Sequence, residues 1–129
     1  MLKQISMKER KEEMIPRVRD FMEHFAAMQK EIHENSVEHG FWKGKRNNYA
    51  LKIALIHSEV SEALEAIRNG NPPCDKEELE DVSSVEEELA DVVIRVMDLA
   101  EKMELDLAGA IYLKATYNES RPYKHGKKF

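Results

Sequence analysis

The sequence offers no second cysteine to pair with Cys74. That excludes a disulfide framework within the chain and makes a reducing cytoplasm the expected compartment. Apolar runs are only a few residues long, too short for a membrane span, and the opening "MLKQISMKERKEEM" carries no apolar signal core. No stretch alternates apolar and polar residues long enough to read as a strand. Positive charge is not in excess either: the formal charge is −5, which gives no general reason to expect a nucleic-acid partner. Internal repeats and low-complexity tracts are missing as well.

What is present is helical periodicity. Of the 129 residues, 42% are hydrophobic and 35% charged, a balance that suits one charge-rich globular domain. Ser6 and Glu9 form a capping-box pattern for a short opening helix. Pro16 suits the first position of a longer helix whose apolar stripe is Val18, Phe21, Met22, Phe25, Met28 and Ile32, fading by Gly40. "HGFWKGKRNN" reads as a loop. A second helix is expected from about Asn48 to Asn69, stopped by "NGNPP". "DKEELEDVSS" offers a further turn. Ser83 and Ser84, with Glu86 and Glu87 behind them, cap a third helix that ends near Met103. Asp106 caps a fourth, which Pro122 ends at Arg121. Residues 122–129 form a basic, irregular tail. The expected architecture is all-α: a single-domain antiparallel helical bundle of about four main helices spanning 1–129.

Two acid pairs stand out. Glu59 and Glu62, three apart, fall on neither the expected apolar centre of the second helix (Tyr49, Ile53, Ile56, Val60, Ala63, Ile67) nor its solvated side (Ser58, Ser61, Glu65, Arg68). They share an arc with Asn48, Leu55 and Ala66. Glu88 and Asp91 repeat the spacing on the third helix, beside Leu89, Val92, Val96, Leu99 and Met103. Arg95, Asp98 and Lys102 continue that arc, so an exposed salt-bridged face explains the second pair by itself. Two pairs on consecutive antiparallel helices are harder to explain that way. Unit charges ~4 Å apart repel by about 4 kcal/mol at an effective dielectric of ~20, so converging acids need protons or cations. Oxygen-only donors suit Mg²⁺ or Mn²⁺. Zinc fits poorly without histidine or cysteine, and a di-iron site would need the Glu-x-x-His spacing that none of the histidines has.

The fourth helix adds a basic face. Lys114, Asn118 and Arg121 align with Leu107, Ala110, Ile111 and Tyr117, opposite Tyr112, Thr116 and Glu119. Snorkelling accounts for the lysine and the arginine but not for the short Asn118. Lys124, His125, Lys127 and Lys128 follow in the tail. A wall of acids with a divalent ion, and another of Lys, Asn and Arg, is a receptor for a polyphosphate.

Glu59-x-x-Glu62, a spacer, Glu88-x-x-Asp91, then Lys114, Asn118 and Arg121 in that order resemble the MazG-like all-α nucleoside triphosphate pyrophosphohydrolases over about 41–128. The resemblance implies Mg²⁺-dependent hydrolysis of a nucleoside triphosphate, a deoxynucleotide or a non-standard one, to the monophosphate and pyrophosphate. It implies metal ligation by Glu59, Glu62, Glu88 and Asp91, with Glu59 or Glu62 taking the proton of the attacking water. Asp98 is a further candidate ligand. Phosphate contacts would come from Lys114, Asn118, Arg121, Lys124, His125 and Lys127, and base contacts from Trp42 and Asn48. It also implies a homo-oligomer, a dimer or tetramer. Phosphoribosyl-nucleotide pyrophosphohydrolases belong to the same family and are an alternative substrate class. A non-catalytic nucleotide-binding module and a purely structural helical oligomer are the other readings.

Overall fold

A computed structural model describes residues 16–44 and 48–129; the Ser6–Glu9 capping box expected from the sequence lies outside them. Among the described residues there are four α-helices and no strand beyond an isolated bridge between Pro73 and Ser83. The helices are α1 (Pro16–Glu38), α2 (Tyr49–Arg68), α3 (Ser84–Lys102) and α4 (Leu107–Glu119). No helix is long and apolar enough to cross a membrane.

The ends of the helices follow the local chemistry of the sequence. Asn48 caps α2, its side-chain oxygen accepting from the Leu51 amide at 3.0 Å. Gly70, at a φ of 81°, supplies the left-handed residue that turns the chain after Asn69. The expected extra turn is a 3₁₀ turn at Glu77–Leu79. Ser83 and Glu86 close a full capping box on α3: the Ser83 hydroxyl accepts from the Glu86 amide at 3.3 Å, and the Glu86 carboxylate accepts from the Ser83 amide at 2.8 Å. These bonds hold the Glu86 carboxyl below its ordinary value. Ser83→Ala is expected to cost about 1 kcal/mol, and Ser83→Gly a few tenths, in urea unfolding. Asp106 caps α4 through the Gly109 amide at 3.1 Å. That helix ends at Glu119, with Ser120 as its cap, slightly before the proline-imposed limit.

The chain forms two compact units. In one, α1 residues 16–28 meet Leu105–Phe129: Met22 and Ala108 are buried, with Val18, Phe25 and Tyr112 packed on them. The sequence expectation is corrected here in two ways. Phe21 and Met28 are exposed rather than part of the packed stripe, and the buried face of α4 is the one with Ala108 and Tyr112 rather than Ile111 and Tyr117.

In the other unit, Gln29–Glu104, α2 and α3 lie antiparallel. The Val85 amide bonds Asn71 at 2.9 Å near one end of the pair, and Arg95 reaches Glu59 further along. The contact face of α2 is not its most apolar one. Glu59, Ala63 and Ala66 are buried, whereas Val60 is 50% exposed and Ile67 59% exposed. Alanine at the contact lets two helix backbones approach closely. The buried set carries Glu59 inward with the alanines and leaves the larger Val60 and Ile67 side chains outside.

Candidate functional site

The acid pairs meet because α2 and α3 pack antiparallel, with Arg95 of α3 opposite Glu59 of α2. One carboxylate oxygen each from Glu59, Glu88 and Asp91 lies within 4.8 Å of the others. Glu59 is only 6% exposed; Glu88 and Asp91 are half-buried. The fourth acid, Glu62, is exposed and stands beside Glu88 as the acceptor for that carboxyl when it is protonated. A cleft of about 560 Å³ opens beside them, lined by Glu62, Ala66, Pro73, Asp75, Glu87 and Glu88 among others.

Crowding shows in the proton affinities. Burial, the hydrogen bond that the protonated Glu88 carboxyl donates to Glu62, and the charges of Glu62, Asp91 and Glu59 all push the Glu88 carboxyl up. Burial and the Glu59 charge push Asp91 up, against the opposing pull of Lys76 and Arg95. In the metal-free protein both groups therefore bind protons more tightly folded than unfolded. Stability should fall as pH rises from the ordinary carboxylate value through the raised one. In EDTA, Glu88→Gln is expected to melt above the wild-type chain at neutral pH. Acidification should close that gap, and a gap that widens on acidification would reverse the sign of the Glu88 shift.

Charge compensation comes from Arg95, which shares an arc of α3 with Asp98 and Lys102. Arg95 donates from Nε to Glu59 Oε1 at 2.5 Å. Its place one helical turn beyond Asp91 was the available signal, but the cross-helix partner was not visible in the sequence.

Asp98 does not join the acid cluster. It accepts from Ser36 Oγ at 2.8 Å and Trp42 Nε1 at 2.9 Å, and lies 2.7 Å from His33 Nδ1. Trp42 is thereby held at its indole nitrogen, edge-on to His33, with Lys52 Nζ 4.2 Å from its ring centroid and Lys102 Nζ at 5.7 Å. Asn48, the other candidate base contact, commits its side-chain oxygen to the α2 cap.

A second acidic group, Cys74, Asp75 and Glu87, is also close-set. Its chemistry is already satisfied: the Cys74 thiol donates to Glu87 at 2.9 Å, and Lys76 pairs with the other Glu87 oxygen.

In the other unit, Lys114 Nζ and Arg121 Cζ lie 4.8 and 5.5 Å from the Tyr117 ring centroid. The intervening Asn118 buries its side-chain oxygen without a hydrogen-bond partner. Burying an amide oxygen unpaired is costly, so Asn118 is poised for a donor. Lys124 and His125 sit in a turn with left-handed backbone, at φ of 50° and 52°, and Lys124, His125 and Lys127 are exposed.

The family model of the MazG nucleotide pyrophosphohydrolase domain matches residues 48–118, more than half of the chain. The chain belongs to this family. The match begins at the α2 cap and ends at Asn118, so it contains both acid pairs and Lys114, while Arg121 and the tail lie past it. Comparison with curated proteins and with solved structures gives no significant match.

Proposed function

We propose that the chain hydrolyses a nucleoside triphosphate to the monophosphate and pyrophosphate, with Mg²⁺ or Mn²⁺ held by Glu59, Glu62, Glu88 and Asp91. The observation that carries this is the convergence of three carboxylate oxygens within 4.8 Å across two helices, inside the matched family domain. The donor set passes a chemical test: it is all oxygen, as hard divalent ions prefer, and neither nitrogen nor sulfur enters it. A divalent ion bound there lowers the pKa of a coordinated water and neutralises phosphate charge.

The chain's own residues supply the rest. Glu59 and Glu62 are the candidates to accept the proton of the attacking water; exposure at the cleft favours Glu62, since Glu59 is buried and ion-paired. Lys114 and Arg121 hold phosphate oxygens, and Asn118 orients a phosphate or the sugar. The tail residues Lys124, His125 and Lys127 add positive charge for the phosphates. Trp42, fixed by Asp98, offers a ring to the base, with Asn48 nearby in sequence as an amide contact. Deoxynucleotides and non-standard nucleotides are the favoured substrates. A reducing cytoplasm suits the free Cys74 thiol.

A homo-oligomer is part of the same reading. Ile53, Val60, Leu64 and Ile67 on α2, with Leu89 and Val93 on α3, are exposed aliphatic side chains. A second copy covering them would complete the core that each chain leaves open.

The test is product analysis with a panel of ribo- and deoxynucleoside triphosphates. Monophosphate and pyrophosphate in equal amounts are expected. Diphosphate and free phosphate would place cleavage at the wrong bond and refute the reaction. Activity confined to phosphoribosyl-linked nucleotides would move the substrate class and leave the site standing.

A further inference from the structure

The acid cluster holds a resident cation of its own. Glu59 is the most buried member, and the Arg95 guanidinium reaches across from α3 to its Oε1. Arg95 stands one turn beyond Asp91 on the same helix, and its charge also acts on Asp91. Its side chain is partly exposed, with 37% of the surface open, so it is free to leave without unpacking the helices. A carboxylate oxygen engaged by a guanidinium offers less electron density to a second cation, and the guanidinium charge opposes the approach of a divalent ion.

We propose that Arg95 is the internal counter-ion of the acid cluster: it holds Glu59 in the metal-free protein and competes with the divalent ion for that carboxylate. This rests on the metal reading above. The competition has two sides. Without metal, Arg95 prevents Glu59 from being a buried, unpaired charge, which is costly to leave behind. With metal, the ion must displace or outweigh Arg95, so affinity is set lower than the four carboxylates would give. The chain gains a fold that does not depend on the ion being present.

The alternative is that Arg95 orients Glu59 for the ion through its other oxygen, and the two differ in sign. The experiment is Mn²⁺ binding to the full chain at fixed pH and ionic strength, counting free Mn²⁺ by electron paramagnetic resonance. Removing the competing charge in Arg95→Gln is expected to tighten Mn²⁺ binding by about tenfold or more, whereas Arg95→Lys, which keeps the charge, should stay near wild type. In EDTA, Arg95→Gln should melt below wild type, and Mn²⁺ should raise its melting temperature by more than it raises that of wild type. If Arg95→Gln does not hold its fold in EDTA, Mn²⁺-driven refolding followed by circular dichroism reads the same affinity; refolding below the wild-type Kd supports the proposal, and failure to refold overturns it. Unchanged or weaker binding by a folded Arg95→Gln overturns the counter-ion role while leaving the metal centre intact. Absence of bound Mn²⁺ in all three proteins overturns both.

Discussion

Asp91→Asn is expected to lose turnover on the order of a thousandfold while melting no lower than wild type in EDTA. The two halves of that result have one cause. Asp91 shares its space with Glu59 and Glu88, and burial together with Glu59 raises its proton affinity. Asparagine keeps the shape and removes a charge from a crowded set, so the metal-free fold is relieved of repulsion rather than deprived of a contact. The same change deletes a hard anionic donor, for which an amide oxygen is a poor substitute. A residue that only stabilised the fold would show the opposite pattern, with the melting temperature falling and activity per folded molecule kept. Pyrophosphate release and a melting curve in EDTA, measured on one preparation, separate the two.

The second large effect concerns stability. Asp98→Ala should cost about 3 kcal/mol, because one partly buried carboxylate is the shared partner of His33, Ser36 and Trp42. Over a chain of 129 residues that corresponds to a fall in melting temperature of roughly 10 °C. Trp42 is the sole tryptophan, so its emission reports the hub directly. The native spectrum of Asp98→Ala should shift to the red and become more open to quenchers before any global unfolding. Mn²⁺ binding should persist, since Asp98 stands outside the acid cluster. An Asp98→Ala protein that melts like wild type would mean the three donors find other partners without loss.

Helix ends were readable because they depend on neighbouring residues. Asn48, the Ser83–Glu86 box, Asp106, Pro16 and the "NGNPP" stop act within a few positions of themselves, and each marks an observed boundary to within a residue or two. The acid spacing was equally local. Which face of each helix is buried was less so. Hydrophobic periodicity placed Val60 and Ile67 at the centre of α2, but a wheel reports where apolar residues are, not which neighbour covers them. The covered face is set by Ala63 and Ala66, small residues that permit close packing against α3. The Asp98 hub was out of reach for a different reason: His33, Ser36 and Trp42 come from distant parts of the chain, and only packing brings them to one carboxylate. Arg95 combined both difficulties, its spacing from Asp91 being visible and its partner Glu59 being across the helix pair.

The most direct test of the central claim is pyrophosphate release from deoxynucleoside triphosphates by the full chain, with Mg²⁺ and with EDTA. The acid cluster as a metal centre predicts release with Mg²⁺, its loss in EDTA, and its recovery when Mg²⁺ is restored in excess. Release that continues unchanged in EDTA would contradict it, since the convergence of Glu59, Glu88 and Asp91, with Glu62 beside them, would then have no part in the chemistry.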